Sequence, residues 1–322
     1  MSQAAKDLDE HLRVELDTAC KEVLKNIPFL ARIVQASAGE YGNCSVEEVE
    51  KLIRGDQVTD KIVGQAESLN GRQLDLRFDA MCPDGTGKTK VLLNVEVQNK
   101  YNPGYDIITR GIFYCALMLV AEDGVEFTGQ NYGELKKVYS IWIAVNPSVM
   151  EQGCINRYEM NEFHMRGEMT RARKIYDKLT VVQLNLGEDD DNGILRMLNV
   201  LMGRTYSVSE KKQILEEEYG IAMTNEMEGD VEKVCNYSEW VYESGVEQGI
   251  QKGIAQGEAQ GIQKGIQKGI TQGMVKGEMN AIERMILNVM KKMKGSPEAA
   301  MDFLDIPEED RLMYAERIGQ RA

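Results

Sequence analysis

Two stretches, Leu74-Asp75-Leu76-Arg77-Phe78-Asp79-Ala80 and Val91-Leu92-Leu93-Asn94-Val95-Glu96-Val97-Gln98, alternate apolar and polar residues. That period of two is the pattern of a β-strand, whose successive side chains point to opposite faces. Leu74, Leu76, Phe78 and Ala80 form the core face of the first strand, and Val91, Leu93, Val95 and Val97 that of the second. The other faces carry Asp75, Asp79, Glu96 and Gln98. Between the strands, Pro83-Asp84-Gly85-Thr86-Gly87-Lys88 is turn chemistry, so the pair is expected to form an antiparallel hairpin. Paired in this way, Asp75, Glu96 and Gln98 converge. Magnesium takes oxygen ligands and usually only one or two protein carboxylates, a role that Asp75 and Glu96 suit, with a carbonyl from Val97 completing the protein's share. Spacing alone favours a plainer account, in which this is a solvated sheet face and its acids are ordinary.

Working outward, residues 8–54 read as helical, with a second helix opening at Ser45, where Ser45 and Glu48 have capping-box spacing. After Asn102-Pro103-Gly104 an apolar helix is expected from Asp106 to Val120. Val138-Tyr139-Ser140-Ile141-Trp142-Ile143-Ala144-Val145 is the nearly continuous apolar run of a buried central strand. A further strand is expected at Leu179 to Leu186, and helices at Ile194 to Met202 and Ser209 to Glu218. Alternating helices and strands make this an α/β chain.

Beyond residue 235 the character changes. Gly245, Gly249, Gly253, Gly257, Gly261, Gly265, Gly269, Gly273 and Gly277 recur every four residues, beside Val246, Ile250, Ile254, Ile262, Ile266, Ile270 and Met274. On a helix both stripes wind about the axis by roughly 40° per repeat. Each glycine costs a lone helix about 1 kcal/mol, so the segment needs close packing or it frays. Self-association of the tail and a mobile helical spacer are equally consistent with this repeat. Ile282 to Met293 is amphipathic, and Ser296-Pro297-Glu298 and Ile306-Pro307-Glu308 each open a further helix.

With 322 residues and 43% hydrophobic content, the chain supports a substantial core. It has no apolar run of membrane-spanning length, and its first residues lack the apolar stretch of a signal peptide, so a cytoplasmic protein without membrane contact is expected. The six cysteines lack CxxC spacing and only His11 and His164 could join them, which disfavours zinc and disulfides and implies reduced, mostly buried thiols. A net charge of −14 excludes a generally basic nucleic-acid coat, leaving a local patch or bridging metal ions as the route to any polyanion. One basic stretch contains Arg166, Arg171, Arg173, Lys174 and Lys178, for which a solvated helix face is the favoured reading.

The ordered blocks Asp75-Leu76-Arg77-Phe78, Asn94-Val95-Glu96-Val97-Gln98, Pro103-Gly104-Tyr105, Arg110-Gly111-Ile112-Phe113-Tyr114 and Val138-Tyr139-Ser140-Ile141-Trp142 resemble those of the PD-(D/E)xK nuclease family transposases, the Rpn-type recombination-promoting nucleases. The glycine-repeat tail is similar to tails in that group. The resemblance covers residues from about 26 to 160. It implies a restriction-endonuclease-like fold, a central mixed sheet flanked by helices, and Mg²⁺- or Mn²⁺-dependent hydrolysis of DNA phosphodiesters. Residues 1–235 would be the nuclease-like domain with N-terminal helices, 236–294 the helical repeat tail, and 295–322 a short helical segment. Asp75 and Glu96 match the metal-binding acids of the motif. Gln98 stands where the superfamily pattern has Lys, which leaves it able to orient by hydrogen bonding but without a cation. Lys100, on the same face if the strand continues, is a replacement candidate. Arg110 and Tyr114, one helical turn apart, could contact phosphate or brace the site. Glu40 is the candidate for an added acid from the first helical region, and Asp79 is second choice for the first-strand ligand. The competing expectation is a catalytically weak or inactive nuclease-fold protein that binds DNA or protein partners, itself included, through its tail.

Overall fold

The computed structural model describes residues 3–55, 61–62, 68–69, 71–84, 89–99, 103–187 and 193–319. The chain divides into two compact units, Met1–Gly245 and Val246–Ala322. The first opens with helices α1 (Gln3–Leu24), α2 (Ile27–Ser37) and α3 (Val46–Arg54). The capping box at α3 forms as its spacing predicts: Glu48 N–H donates to Ser45 Oγ at 3.2 Å, and Ser45 N–H to the Glu48 carboxylate at 2.7 Å.

A two-stranded ribbon, β1 (Ser68–Leu69) and β2 (Arg72–Gln73), precedes the main sheet. That sheet is open and mixed. Its strands are β3 (Leu76–Met81), β4 (Lys90–Gln98), β5 (Lys137–Ala144), β6 (Ile155–Glu159) and β7 (Leu179–Asn185), in the order β3-β4-β5-β7-β6. The β3–β4 and β6–β7 pairs are antiparallel, while β4–β5 and β5–β7 are parallel. Between β4 and β5 runs α4 (Ile107–Ala121), as parallel neighbours require a crossover. The short α5 (Arg173–Tyr176) comes before β7, and α6 (Ile194–Met202), α7 (Val208–Tyr219) and the start of α8 (Asn225–Met293) follow it.

Each sheet face is covered by helices. Leu76, Phe78 and Ala80 of β3 join Val91, Leu93, Val95 and Val97 of β4 in a large core with residues of α1, α2, α3, α6, α7 and α8. Across the opposite face lies α4, whose Tyr114, Cys115 and Met118 pack with Leu92, Val138, Trp142 and Val181. On β4 the acid-bearing face is therefore not solvated, Asn94 being 0% and Glu96 2% exposed, whereas Asp79 on β3 is exposed as a solvated face requires. Period-two spacing favours the solvated reading because it registers what one strand carries, not which helix crosses it. A second correction concerns Leu74, which leaves the alternation. The chain bends at Asp75 and β3 begins at Leu76, so Leu74 packs beneath α4 with Leu92.

The edge strand β6 was not expected, since its residues Ile155-Asn156-Arg157-Tyr158-Glu159 are mostly exposed and have no apolar face to announce them. The basic stretch is a helix face only in part: Arg173 and Lys174 lie in α5, residues 160–172 carry no helix, and Arg173 is tied to Asp177 at 3.0 Å and to Glu159. Residues 85–88 of the hairpin turn lie outside the described residues. The thiols are all free, but only Cys20 and Cys115 are buried and Cys154 is exposed.

In the second unit, the C-terminal part of α8 packs with α9 (Pro297–Phe303) and α10 (Glu308–Gly319) around Ile286, Ala300, Met301, Tyr314 and Ile318. Along the repeat, a Cβ added at any glycine from Gly249 to Gly277 would meet nothing within 4 Å, and Ile250, Ile254, Ile262, Ile266 and Ile270 are exposed. The close packing that would offset nine glycines is thus not made inside this unit. Among the described residues, no helix is long and apolar enough to cross a membrane.

One glycine is decisive for how α4 sits on the sheet. A Cβ on Gly111 would lie 2.6 Å from Val181 Cγ1 and 3.0 Å from Trp142 Nε1. Val181 is β-branched and buried in β7, so it has no alternative rotamer to retreat into. Gly111→Ala is expected to destabilise the first unit by about 1–3 kcal/mol through overpacking, read as a lower urea midpoint at unchanged slope.

Candidate active site at the C-terminal end of β4

The β3–β4 register ends at Leu76↔Val95, and the bend that follows sets Asp75 beside Glu96. Two bonds lock them together. Asp75 N–H donates to Glu96 Oε1 at 3.0 Å, and Val97 N–H donates to Asp75 Oδ2 at 3.4 Å. Asn94 Nδ2 donates to the same Glu96 oxygen at 3.0 Å, while Asn94 Oδ1 is buried without a partner. Among the described residues, Glu96 Oε2 accepts no hydrogen bond. The bend at Asp75 makes this possible, because it lets the side chain reach the backbone of a strand end that β3 no longer covers.

Lys21, from α1, is the cation of the site, with Nζ 2.8 Å from Asp75 Oδ1 and 2.5 Å from Asp17. It was not foreseen. On sequence it is one lysine of an amphipathic helix with an acid four residues before it, and only folding brings it to Asp75. Burial would discourage its charge, but the hydrogen bonds it donates to Asp17 and Asp75 prevail and hold its pKa above the ordinary lysine value.

The two acids are under electrostatic stress. Burial raises the pKa of Asp75, and Lys21 offsets this only in part. Glu96 is pushed up to about 8, first by burial and next by the Asp75 charge. An all-oxygen donor set of two carboxylates, with the unpartnered Asn94 amide oxygen beside them, fits a hard divalent cation such as Mg²⁺ or Mn²⁺. Among the described residues, no group of three or more His, Cys, Asp or Glu side chains is positioned to hold a metal. The two-carboxylate habit of Mg²⁺ does not need one.

Beside the acids, α4 presents Arg110. Its guanidinium donates to Tyr114 Oη, at 2.9 Å from Nε, and to Tyr105 Oη, and lies 4.9, 4.9 and 5.2 Å from the ring centres of Tyr105, Tyr114 and Trp142. Tyr105 Oη in turn donates to Gln98 Oε1 at 3.1 Å. Gln98, Tyr105, Arg110 and Tyr114 thus form one chain of contacts, in which Tyr114 is buried and braces the arginine. Arg110 and Tyr105, with Arg72, Phe113 and Thr109, line an open cleft of about 720 Å³.

The other expected site residues fall elsewhere. Asp79 stands four residues along β3, about 13 Å away, paired with Lys90 at 2.7 Å. Glu40 lies across the sheet, where it accepts from Tyr139 Oη and faces Lys137 at 3.7 Å. Tyr139 pairs with Leu93 on the large-core face, so Glu40 is separated from Glu96 by the sheet itself. For Val97, the group in contact with Asp75 is the N–H. Lys100 lies outside the described residues. No family model, curated protein or solved structure matches this chain.

The raised Glu96 pKa has a stability consequence of definite sign. The folded state retains a proton that the unfolded chain gives up, so Glu96 contributes stability that is complete below pH 4.5 and lost as pH rises through about 8. In metal-free buffer, Glu96→Gln, whose amide oxygen can still accept from Asp75 and Asn94, is expected to match the parent in urea unfolding at pH 4.5. At alkaline pH it should exceed the parent by about 2 kcal/mol.

Proposed function

We propose that this chain is a metal-dependent DNA endonuclease of the PD-(D/E)xK type, working at Asp75 and Glu96. The observation that carries the reading is the Asp75–Glu96 pair, a half-buried and a buried acid tied together through backbone N–H groups at a strand end, with Lys21 as the cation on Asp75. Such an arrangement works against the fold unless a cation or proton is the intended occupant, and strained acids of this sort mark functional sites. Asp75 and Glu96 would hold Mg²⁺ or Mn²⁺, which when bound lowers the pKa of a coordinated water and stabilises charge on a scissile phosphate. Gln98 orients the attacking water by hydrogen bonding, and Lys21 supplies the positive charge that the strand lacks at position 98. Tyr105 holds Gln98 in place.

DNA is supported by the cleft. Despite the net charge of −14, its two arginines, Arg72 and Arg110, outnumber its one carboxylate, Asp106, and they stand with the exposed rings of Tyr105 and Phe113 and the buried ring of Tyr114. Arginine for phosphate and exposed rings for bases is the composition of a strand-binding groove. Supercoiled plasmid is expected to be nicked with Mg²⁺ or Mn²⁺, and the Asp75→Ala plus Glu96→Ala chain to be inert; equal nicking by both removes the proposal. Arg110→Ala is expected to weaken binding uniformly across DNA sequences and lower the salt slope by about 1.

A second reading is favoured by a separate observation, the open glycine face and exposed isoleucines of the tail. In it the chain is a weak or inactive nuclease-fold protein that associates through α8. Full-length protein carrying Ile254→Ser, Ile262→Ser and Ile266→Ser would then be monomeric in light scattering where the parent is oligomeric; identical masses would refute association by this face.

A further inference from the structure

A second cavity, of about 290 Å³, opens at the C-terminal ends of β4, β5 and β7 and shares Tyr105 and Asp106 with the arginine-lined cleft. Open α/β sheets bind ligands at these strand ends. Its floor is made by two neighbouring carboxamides of β7: Gln183 Nε2 donates to Asn185 Oδ1 at 2.9 Å. Asn185 is 0% exposed, yet its Nδ2 has no partner among the described residues. A buried amide donor left unmade costs about 1–3 kcal/mol, and such a group at a cavity wall points to a bound acceptor. If the amide is placed the other way round, an acceptor is orphaned instead, so the demand for a polar partner stands in either orientation.

The lining says what that partner is. It includes the carboxylates Asp106, which also accepts from Thr109 N–H, and Glu151, which also accepts from Ser148, and among the described residues no Lys or Arg, so it offers a phosphate no cation. Carboxamides offer a donor and an acceptor side by side, the pattern presented by the edge of a nucleobase, and carboxylates accept from an exocyclic amino group. Tyr105 and Tyr158, at 42% and 40% exposed, flank the cavity with aromatic surface. The volume lies near the lower end of small-molecule pockets, roughly 300–1,000 Å³, which suits one base and not a base pair.

We propose that this cavity receives one unpaired, amino-bearing base of the DNA strand that lies in the arginine-lined cleft. The inference rests on the nuclease reading for its choice of DNA, and makes single-stranded or distorted DNA the substrate. Tyr105, common to cleft and cavity, would sit where the base leaves the strand.

The test uses fluorescein-labelled single-stranded oligodeoxycytidine and oligodeoxythymidine, with full-length protein in metal-free buffer and anisotropy as readout. Oligodeoxycytidine is expected to bind about tenfold more tightly than oligodeoxythymidine. Asn185→Leu should erase that preference, and so should Tyr158→Ala, an exposed edge-strand change that does not threaten folding. Asp75→Ala should retain it. Equal binding of the two strands by the parent, or a preference indifferent to both variants, overturns the proposal. A cytosine preference in a protein that cleaves no DNA would leave the cavity in place and remove the nuclease, whereas Asp75-dependent cleavage without base preference would do the reverse.

Discussion

The antiparallel register of β3 on β4, ending at Leu76↔Val95, is the constraint on which the site depends. A slip of one residue would carry Glu96 to the large-core face and Val95 beneath α4, because side chains alternate strictly. The register is held on both sides. Leu76, Phe78 and Ala80 meet the apolar residues of β4 in one core, while Leu92 and Leu74 meet α4 in the other. With apolar packing demanded on each face, the acids have one place left, at the strand end where β3 has bent away.

That placement explains why the site is tense. Burial raises both carboxyl pKa values; the Asp75 charge adds to this at Glu96 and the Asp17 charge at Asp75, where Lys21 compensates only part of the cost. Arg110 shows the opposite balance: three aromatic rings and two tyrosine hydroxyls hold it at the mouth of the cleft, beside the acids and outside the apolar layer.

The two units follow different rules. The first is a layered α/β core with both sheet faces covered. In the second, three helices share a small core, but the glycine repeat of α8 keeps its apolar stripe and open glycine face uncovered. Within the 69-residue α8, glycine stands at every fourth position from Gly245 to Gly277, a cost to helix stability that contacts within the second unit do not offset.

Much of this was legible in the chain, because strong local patterns survive folding. The period-two runs at 74–80 and 91–98, the apolar run at 138–145 and the caps at Ser45 and Ser296 all depend on neighbours in sequence, and each appears as β3, β4, β5, α3 or α9. Asp75 and Glu96 belonged with them, since hairpin pairing is itself local. What tertiary structure alone decided was everything that depends on a distant element: α4 closing over the acids, Lys21 arriving from α1, and the sheet standing between Glu40 and Glu96. The orphaned Asn185 and the edge strand β6 also came from folding, the first because a buried amide looks like any other in sequence, the second because an exposed strand has no apolar face. Local periodicity determines which side of a strand a residue takes; only packing determines whether that side meets water, a cation or a helix.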